Sequence, residues 1–211
     1  MTDRTRPARL VLVRHGETVG NSRIRYYGRT DVALADEGRA QMRAAAAALA
    51  THFGITTFDR IFSSPLVRAR EGARIIAGPA AAIAAIEEFR EVDFGDFEGL
   101  TADEIAARFP AEFARWNRDR LAPDYAYPCG ESRAAFTARV ARGVVRMLTL
   151  LDPALPALIV AHRGVIRAIV RRLTGAEPVI ELGSIQTLVR EGADRWRVEQ
   201  LDFTAHLTRE R

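Results

Sequence analysis

Leu10-Val11-Leu12-Val13-Arg14-His15-Gly16-Glu17-Thr18 is the stretch on which the reading of this chain turns. Its first four residues form a short, branched apolar run of the kind that becomes a buried strand. That strand ends on an arginine, a histidine and a glycine, so the chemistry starts where the apolar run stops. The same grammar recurs at Ala157 to Ala161, an apolar run leading into His162-Arg163-Gly164. Asp59 to Phe62 is a further short strand, and it runs into Ser63-Ser64-Pro65. Between these strands the pattern turns helical. Leu34 to Phe53 is alanine-rich and closed by Gly54, and Ser64 as N-cap with Pro65 at the first helical position opens a second helix. Ala82 to Glu88 reads as a third strand despite its alanines. Thr101 to Arg108 reads as a short helix followed by another through Trp116, and Pro123 to Gly130 as a loop. Glu131 to Leu151 carries Phe136, Val140, Val144, Leu148 and Leu151 on one helical stripe. His162 leads into a helix to Leu173. Ile185 to Val189 and Trp196 to Leu201 form a hairpin around Gly192.

Strands alternating with helices imply an α/β fold, a three-layer sandwich whose mixed, mostly parallel sheet has helices on both faces. Ligands bind such sheets beyond the carboxyl ends of the strands. His15 and His162 both sit at such an end, each followed by a glycine-containing turn that lets a ligand approach the backbone. Arg14 beside His15 supplies a cation, and Arg68 near the Asp59 to Phe62 strand supplies another whose planar fork matches phosphate oxygens. The two histidines have no third ligand in a recognisable metal spacing, and one nucleophilic imidazole with one anion-binding imidazole is the alternative. The segment Glu91-Val92-Asp93-Phe94-Gly95-Asp96-Phe97-Glu98-Gly99 offers carboxyls for general acid work, and spacing does not say which.

Composition bounds the rest. At 211 residues, 48% hydrophobic and 27% charged, the chain has ordinary globular composition, and residues 1–211 are read as one domain with a flexible stretch at 1–8. All 31 basic residues are arginine, which inflates the sequence pI to 9.9 although the net charge is only +4. The arginines are scattered among acids rather than gathered with aromatics, which argues against nucleic acid as a partner. Cys129 is the only cysteine, so neither an intrachain disulfide nor a cysteine-based zinc cluster is available. The start of the chain has no apolar signal region and no stretch approaches bilayer length. The expectation is a cytoplasmic protein without membrane contact.

Taken together, the motifs resemble the histidine phosphatase superfamily, in the branch that includes cofactor-dependent phosphoglycerate mutase. The matching stretches are Leu12 to Thr18, Tyr27 to Asp31, Glu37 to Gln41, Ser63 to Ala69, Glu91 to Thr101, Gly130 to Ser132 and His162 to Arg167, in the family's order. The resemblance implies that His15 is the nucleophile that becomes phosphohistidine, and that Arg14, Arg68 and His162 form a cationic pocket around the phosphoryl group. Glu91 would be the proton donor, Asn21 a phosphate-binding side chain, Gly164 a pocket amide, and Tyr27-Gly28 a loop at the substrate mouth. It implies no metal and no cofactor, a small phosphorylated metabolite as the partner, and a homodimer as the assembly to test.

The chain departs from the family pattern at several points. Arg163 stands where glycine is usual, Cys129 where the loop often has glycine, Gly72 where threonine is common, and Ala35 where a helix cap is usual. His52 and His206 match no motif and read as surface or packing residues. Mutases of this branch carry a long insertion after the Glu91 motif, whereas only Leu100 to Gly130 stands here. That favours a phosphomonoester hydrolase over a mutase, and the sequence resembles the alpha-ribazole phosphatase and broad-specificity phosphatase group. A mutase, or a binding protein for phosphate esters without catalysis, are the alternatives. Arg115, Arg118 or Arg120 could hold a second anion, and Trp116, Tyr125, Phe94 and Phe97 could wall a larger leaving group.

Overall fold

Strand β1 (Arg9–Arg14) is buried on both sides because its residues alternate between two cores. Leu10 and Leu12 face one apolar cluster and Val11 and Val13 face the other. A computed structural model describes residues 8–152, 154–192 and 195–207 of the chain. Its other strands are β2 (Arg60–Ser63), β3 (Ala84–Ala85), β4 (Ala157–Ala161), β5 (Ile185–Arg190) and β6 (Trp196–Phe203). The six strands form one sheet in the order β3-β2-β4-β1-β5-β6. The pairs from β3 to β1 are parallel, and β5 and β6 are added antiparallel. The sheet is mixed and covered on both faces, as the alternating pattern requires.

The helices are α1 (Asp36–Thr51), α2 (Val67–Ala77), α3 (Ala102–Arg108), α4 (Pro110–Asp119), α5 (Arg133–Leu148) and α6 (Arg163–Thr174). Met42, Ala45 and Leu49 of α1 with Ala69 and Ala73 of α2 cover the Val11 face. Phe136, Val140, Val144 and Met147 of α5 with Val165, Ile166, Ile169 and Val170 of α6 cover the Leu10 face. Full burial of each such branched side chain is worth roughly 1.5–3 kcal/mol.

Several boundaries differ from the pattern reading. Helix α2 begins at Val67, not at Pro65, and its N-cap is Leu66, with no side-chain capping bond. Ser64 lies just outside the helix and is buried, and its hydroxyl still accepts the Leu66 amide at 3.3 Å. The Ala82 to Glu88 strand shrinks to the two residues of β3, and a 3-10 turn over Glu87–Phe89 follows. The stripe on α5 closes with Met147, while Leu148 and Leu151 are only partly buried. Residues 1–7 of the stretch expected to be flexible lie outside the described residues. Ala8 is buried, and its carbonyl accepts from the Arg190 amide at 3.0 Å. At the other end of β1, Gly16 and Gly38 meet so closely that a Cβ on either would lie within 2.4 Å of a backbone oxygen. This contact sets the start of α1 against the strand end.

Candidate active site

Strands β2, β4 and β1 are neighbours and parallel, so their carboxyl ends deliver Ser64, His162 and His15 side by side. The ladder runs one bond past the strands. Ser64 N–H donates to the Val160 carbonyl and His15 N–H to the Ala161 carbonyl, each at 3.0 Å. The side chains keep that order. His162 Nε2 lies 2.7 Å from Ser64 Oγ, and the His15 and His162 rings meet edge to face with centroids 5.1 Å apart. Both rings are buried.

The His15 Nδ1 atom is 2.8 Å from the Gly16 carbonyl. A carbonyl only accepts, so Nδ1 carries the proton and Nε2 keeps its lone pair. Arg68 Nε donates toward that Nε2 at 3.3 Å. Burial, and then the charges of Arg68 and Arg14, push the His15 pKa well below its ordinary value against the pull of the Gly16 carbonyl. Burial, followed by Arg68, His15 and Arg14, does the same to His162. Both shifts favour the neutral imidazoles, so the positive charge of the expected cationic pocket comes chiefly from Arg14 and Arg68.

Arg14 reaches the pocket from the end of β1. Its Nη1 donates to the Ile180 carbonyl at 3.1 Å, and its Nε is buried without a hydrogen-bond partner. Burial lowers its pKa to about 10, and Arg163 and Arg68 add to that effect. Arg163 itself is exposed at the first position of α6, so its charge reaches the pocket while its side chain meets solvent. Arg68 is fully buried. Its fork is not free: Nη1 donates to the Thr30 carbonyl at 2.8 Å and Nη2 to the Tyr27 and Gly28 carbonyls at 3.1 and 2.7 Å. Sequence reasoning gave this fork to phosphate, whereas the structure spends most of it on the loop at 27–30. Glu98 grips the same loop from its other side, accepting from the amides of Gly28, Arg29 and Thr30, the Thr30 hydroxyl and the Phe94 amide.

That grip removes Glu98 from the four candidate acids. Asp93 accepts from the Gly95 amide and pairs with Arg29, and Asp96 engages the Cys129 thiol. Glu91 alone of the four reaches the start of α6: its Oε2 accepts from the Gly164 amide at 2.9 Å, and Oε1 accepts from Val92 at 3.0 Å. A Cβ on Gly164 would lie 2.5 Å from Glu91 Oε1 and 3.2 Å from Phe136 Cζ, so only glycine lets the carboxylate sit there. Gly164 thus gives its amide to Glu91 rather than to the pocket.

Asn21 is not brought into the cluster by any contact. It is exposed with φ at 62°, its side chain makes no hydrogen bond among the described residues, and its amide closes a turn onto Thr18. The aromatic wall is also smaller than expected. Phe97 and Tyr125 are buried, and the half-buried rim consists of Tyr26 against Phe94 and Trp116, at centroid distances of 5.3 and 5.9 Å. Arg115 caps the Ala126 carbonyl, Arg118 pairs with Asp119, and Arg120 lies over Trp116 at 4.8 Å. His52 and His206 both stack on Phe203, remote packing as expected. Cys129 has φ at 53°, which explains a position that favours glycine. Ser64 is the participant that sequence reasoning missed. The signal was there, since it follows a strand end as both histidines do, but its resemblance to a helix cap masked it.

Among the described residues no three His, Cys, Asp or Glu side chains stand together in a metal-holding group, and no helix is long and apolar enough to cross a membrane. Residues 10–202 match the model of the histidine phosphatase superfamily (branch 1). The adenosylcobalamin/alpha-ribazole phosphatase of Salmonella typhimurium is 35% identical over 78% of this chain and 79% of its own length. A 2,3-bisphosphoglycerate-dependent phosphoglycerate mutase 2 from Gloeobacter violaceus is 32% identical over 81% of this chain and 78% of its own. The alpha-ribazole phosphatase from Shigella flexneri superposes with a TM-score of 0.79 at 26% identity, covering 92% of this chain and 96% of that one. The two histidines at adjacent parallel strand ends, the arginines around them and these likenesses lead to one conclusion: the chain belongs to the histidine phosphatase superfamily and is a phosphatase of its first branch.

Proposed function

We propose that the chain hydrolyses the phosphomonoester of a small metabolite in two steps through a phosphohistidine on His15. The observation that carries this reading is the tautomer of His15, whose proton is held at Nδ1 by Gly16 while Nε2 stays unprotonated beside Arg68. In the first step Nε2 attacks phosphorus, the bond from phosphorus to the ester oxygen breaks, and Glu91 gives the departing alkoxide its proton. In the second step Glu91, now a carboxylate, takes a proton from water. The water oxygen attacks phosphorus, the N–P bond breaks, and inorganic phosphate leaves with His15 neutral again.

Phosphoryl transfer asks mainly for positioning and charge stabilisation. The unpartnered Nε of Arg14 is a donor waiting for an anion, Arg68 supplies charge against His15, and His162 supports the phosphoryl oxygens with its orientation set by Ser64. Tyr27, Gly28 and the half-buried rings of Tyr26, Phe94 and Trp116 meet the alcohol part of the substrate. Asn21 has the weakest support, through loop position alone. The short segment after Gly99, occupied by α3 and α4, favours hydrolysis over isomerisation. Quenching turnover of para-nitrophenyl phosphate with alkali traps a base-stable, acid-labile adduct on the wild type and none on His15→Ala. Unchanged turnover in His15→Ala would sink the assignment.

A further inference from the structure

We propose that Arg139, locked by Glu131, is a positioning residue for the proton donor, holding the main chain of residues 88–91 so that the Glu91 carboxyl meets the leaving oxygen. The proposal rests on the reading of Glu91 as that donor.

Arg139 projects from α5 with Phe136 one turn before it, and its guanidinium lies 5.2 Å from the Phe136 ring centre. Guanidinium has five N–H donors in a rigid plane, and here every one has an acceptor. Two go to the Glu131 carboxylate as a parallel fork, Nε to Oε1 at 2.9 Å and Nη2 to Oε2 at 2.7 Å. The others go to three carbonyls of a single segment: Nη1 to Glu88 at 2.8 Å and to Arg90 at 2.9 Å, and Nη2 to Glu91 at 3.5 Å. Glu131 adds a further tie, since its own amide donates to the Asp93 carbonyl at 2.9 Å. The pair is mostly sheltered, with side chains 21% and 16% exposed.

The segment needs such a clamp. No sheet ladder holds it: it begins in the 3-10 turn at Glu87–Phe89, anchored by the buried Phe89, and runs as irregular chain toward the next 3-10 turn at Gly95–Phe97. The Glu91 side chain is fixed only at its tip, by the Gly164 and Val92 amides. Phe136 packs close to Gly164, so two side chains of α5 set both the main chain that carries the donor and the amide that receives its carboxyl. Sub-ångström errors in the placement of such a group reduce rates strongly, because proton transfer requires hydrogen-bond reach.

The test compares burst rates of His15 phosphorylation on β-glycerophosphate, whose alkoxide needs a proton, and on para-nitrophenyl phosphate, whose phenolate does not. In Glu91→Gln the alkyl burst should fall by about 10²–10⁴-fold relative to the aryl burst. Arg139→Gln should shift the same ratio by about tenfold or more, and the double variant should be no worse on the alkyl ester than Glu91→Gln alone. Glu131→Gln keeps the size and one acceptor oxygen, so it serves if Arg139→Gln does not fold, and it should move the ratio the same way by a smaller factor. If Glu91→Gln shows the dependence while the Arg139 and Glu131 variants slow both esters equally, the clamp is merely structural and the proposal fails. An additive double variant would also overturn it. If Glu91→Gln itself shows no dependence, the donor assignment falls, and the clamp's role with it.

Discussion

His15 and His162 are buried, neutral and surrounded by arginine, and that has consequences for how the protein answers to acid. In an unfolded chain each would titrate near about 6.5, but in the folded protein both values lie well below that. The unfolded chain therefore binds protons that the folded one refuses, and folding stability falls as the pH drops below about 6.5, the loss growing until the folded-state values are reached. Above that range the two groups add nothing to the pH dependence. The thermal midpoint should drop between about pH 7.5 and pH 5, and the gap between wild type and His162→Gln should narrow over the same interval as the histidine's own penalty grows. A gap that stayed constant would show that His162 titrates normally. Catalysis through the proposed nucleophile should be less sensitive, because burial and the neighbouring arginines already favour the unprotonated ring of His15. Burst phosphorylation of His15 at about pH 5.5 should keep most of its neutral-pH rate, provided the substrate's own ionisation is corrected for.

The helices show which parts of the structure are written locally. Thr101 and Glu104 form a reciprocal capping box at the start of α3, and that boundary could be read directly from the residues. Ala35 at the start of α1 has the extended backbone of a cap and no side-chain bond, so the weak cap expected from sequence is there. Ala35→Ser should raise stability by about 1 kcal/mol, seen as a higher urea midpoint with an unchanged slope. No shift in midpoint would mean the serine hydroxyl finds a different partner. Ser64 shows the opposite case. Its local context, Ser-Pro before a helical pattern, is that of a cap, and its hydroxyl does accept the Leu66 amide at 3.3 Å, but β4 also brings His162 to it across 98 residues of sequence, at 2.7 Å. The strands, their order of appearance and the two histidines were legible because each apolar run is contiguous. The committed fork of Arg68, the Glu98 grip on residues 28–30 and the Arg139 clamp were not, since each joins segments that only the fold brings together.

At the scale of the whole molecule the reaction class makes two demands that can be checked on the intact enzyme. A phosphohistidine mechanism draws on arginine, imidazole and carboxyl groups alone, so turnover should survive exhaustive dialysis against EDTA. Loss of activity restored by zinc or magnesium would put the mechanism in doubt. Incubation with 3-phosphoglycerate and its bisphosphate should release phosphate and yield little 2-phosphoglycerate, because only α3 and α4 fill the place where a mutase carries its longer insertion. Efficient isomerisation would reverse that reading. The sheet order carries a different consequence, concerning the birth of the protein. Strand β1, with His15 at its tip, is made long before its two sheet neighbours, β4 and β5. Until they arrive, His15 has neither the Ala161 carbonyl to hold its amide nor the second imidazole beside its ring. Such distant pairing is slow to form. Nascent chains and fragments that stop short of β5 should therefore be inert toward the cell's phosphate esters, and activity should switch on only after β4 and β5 have been made.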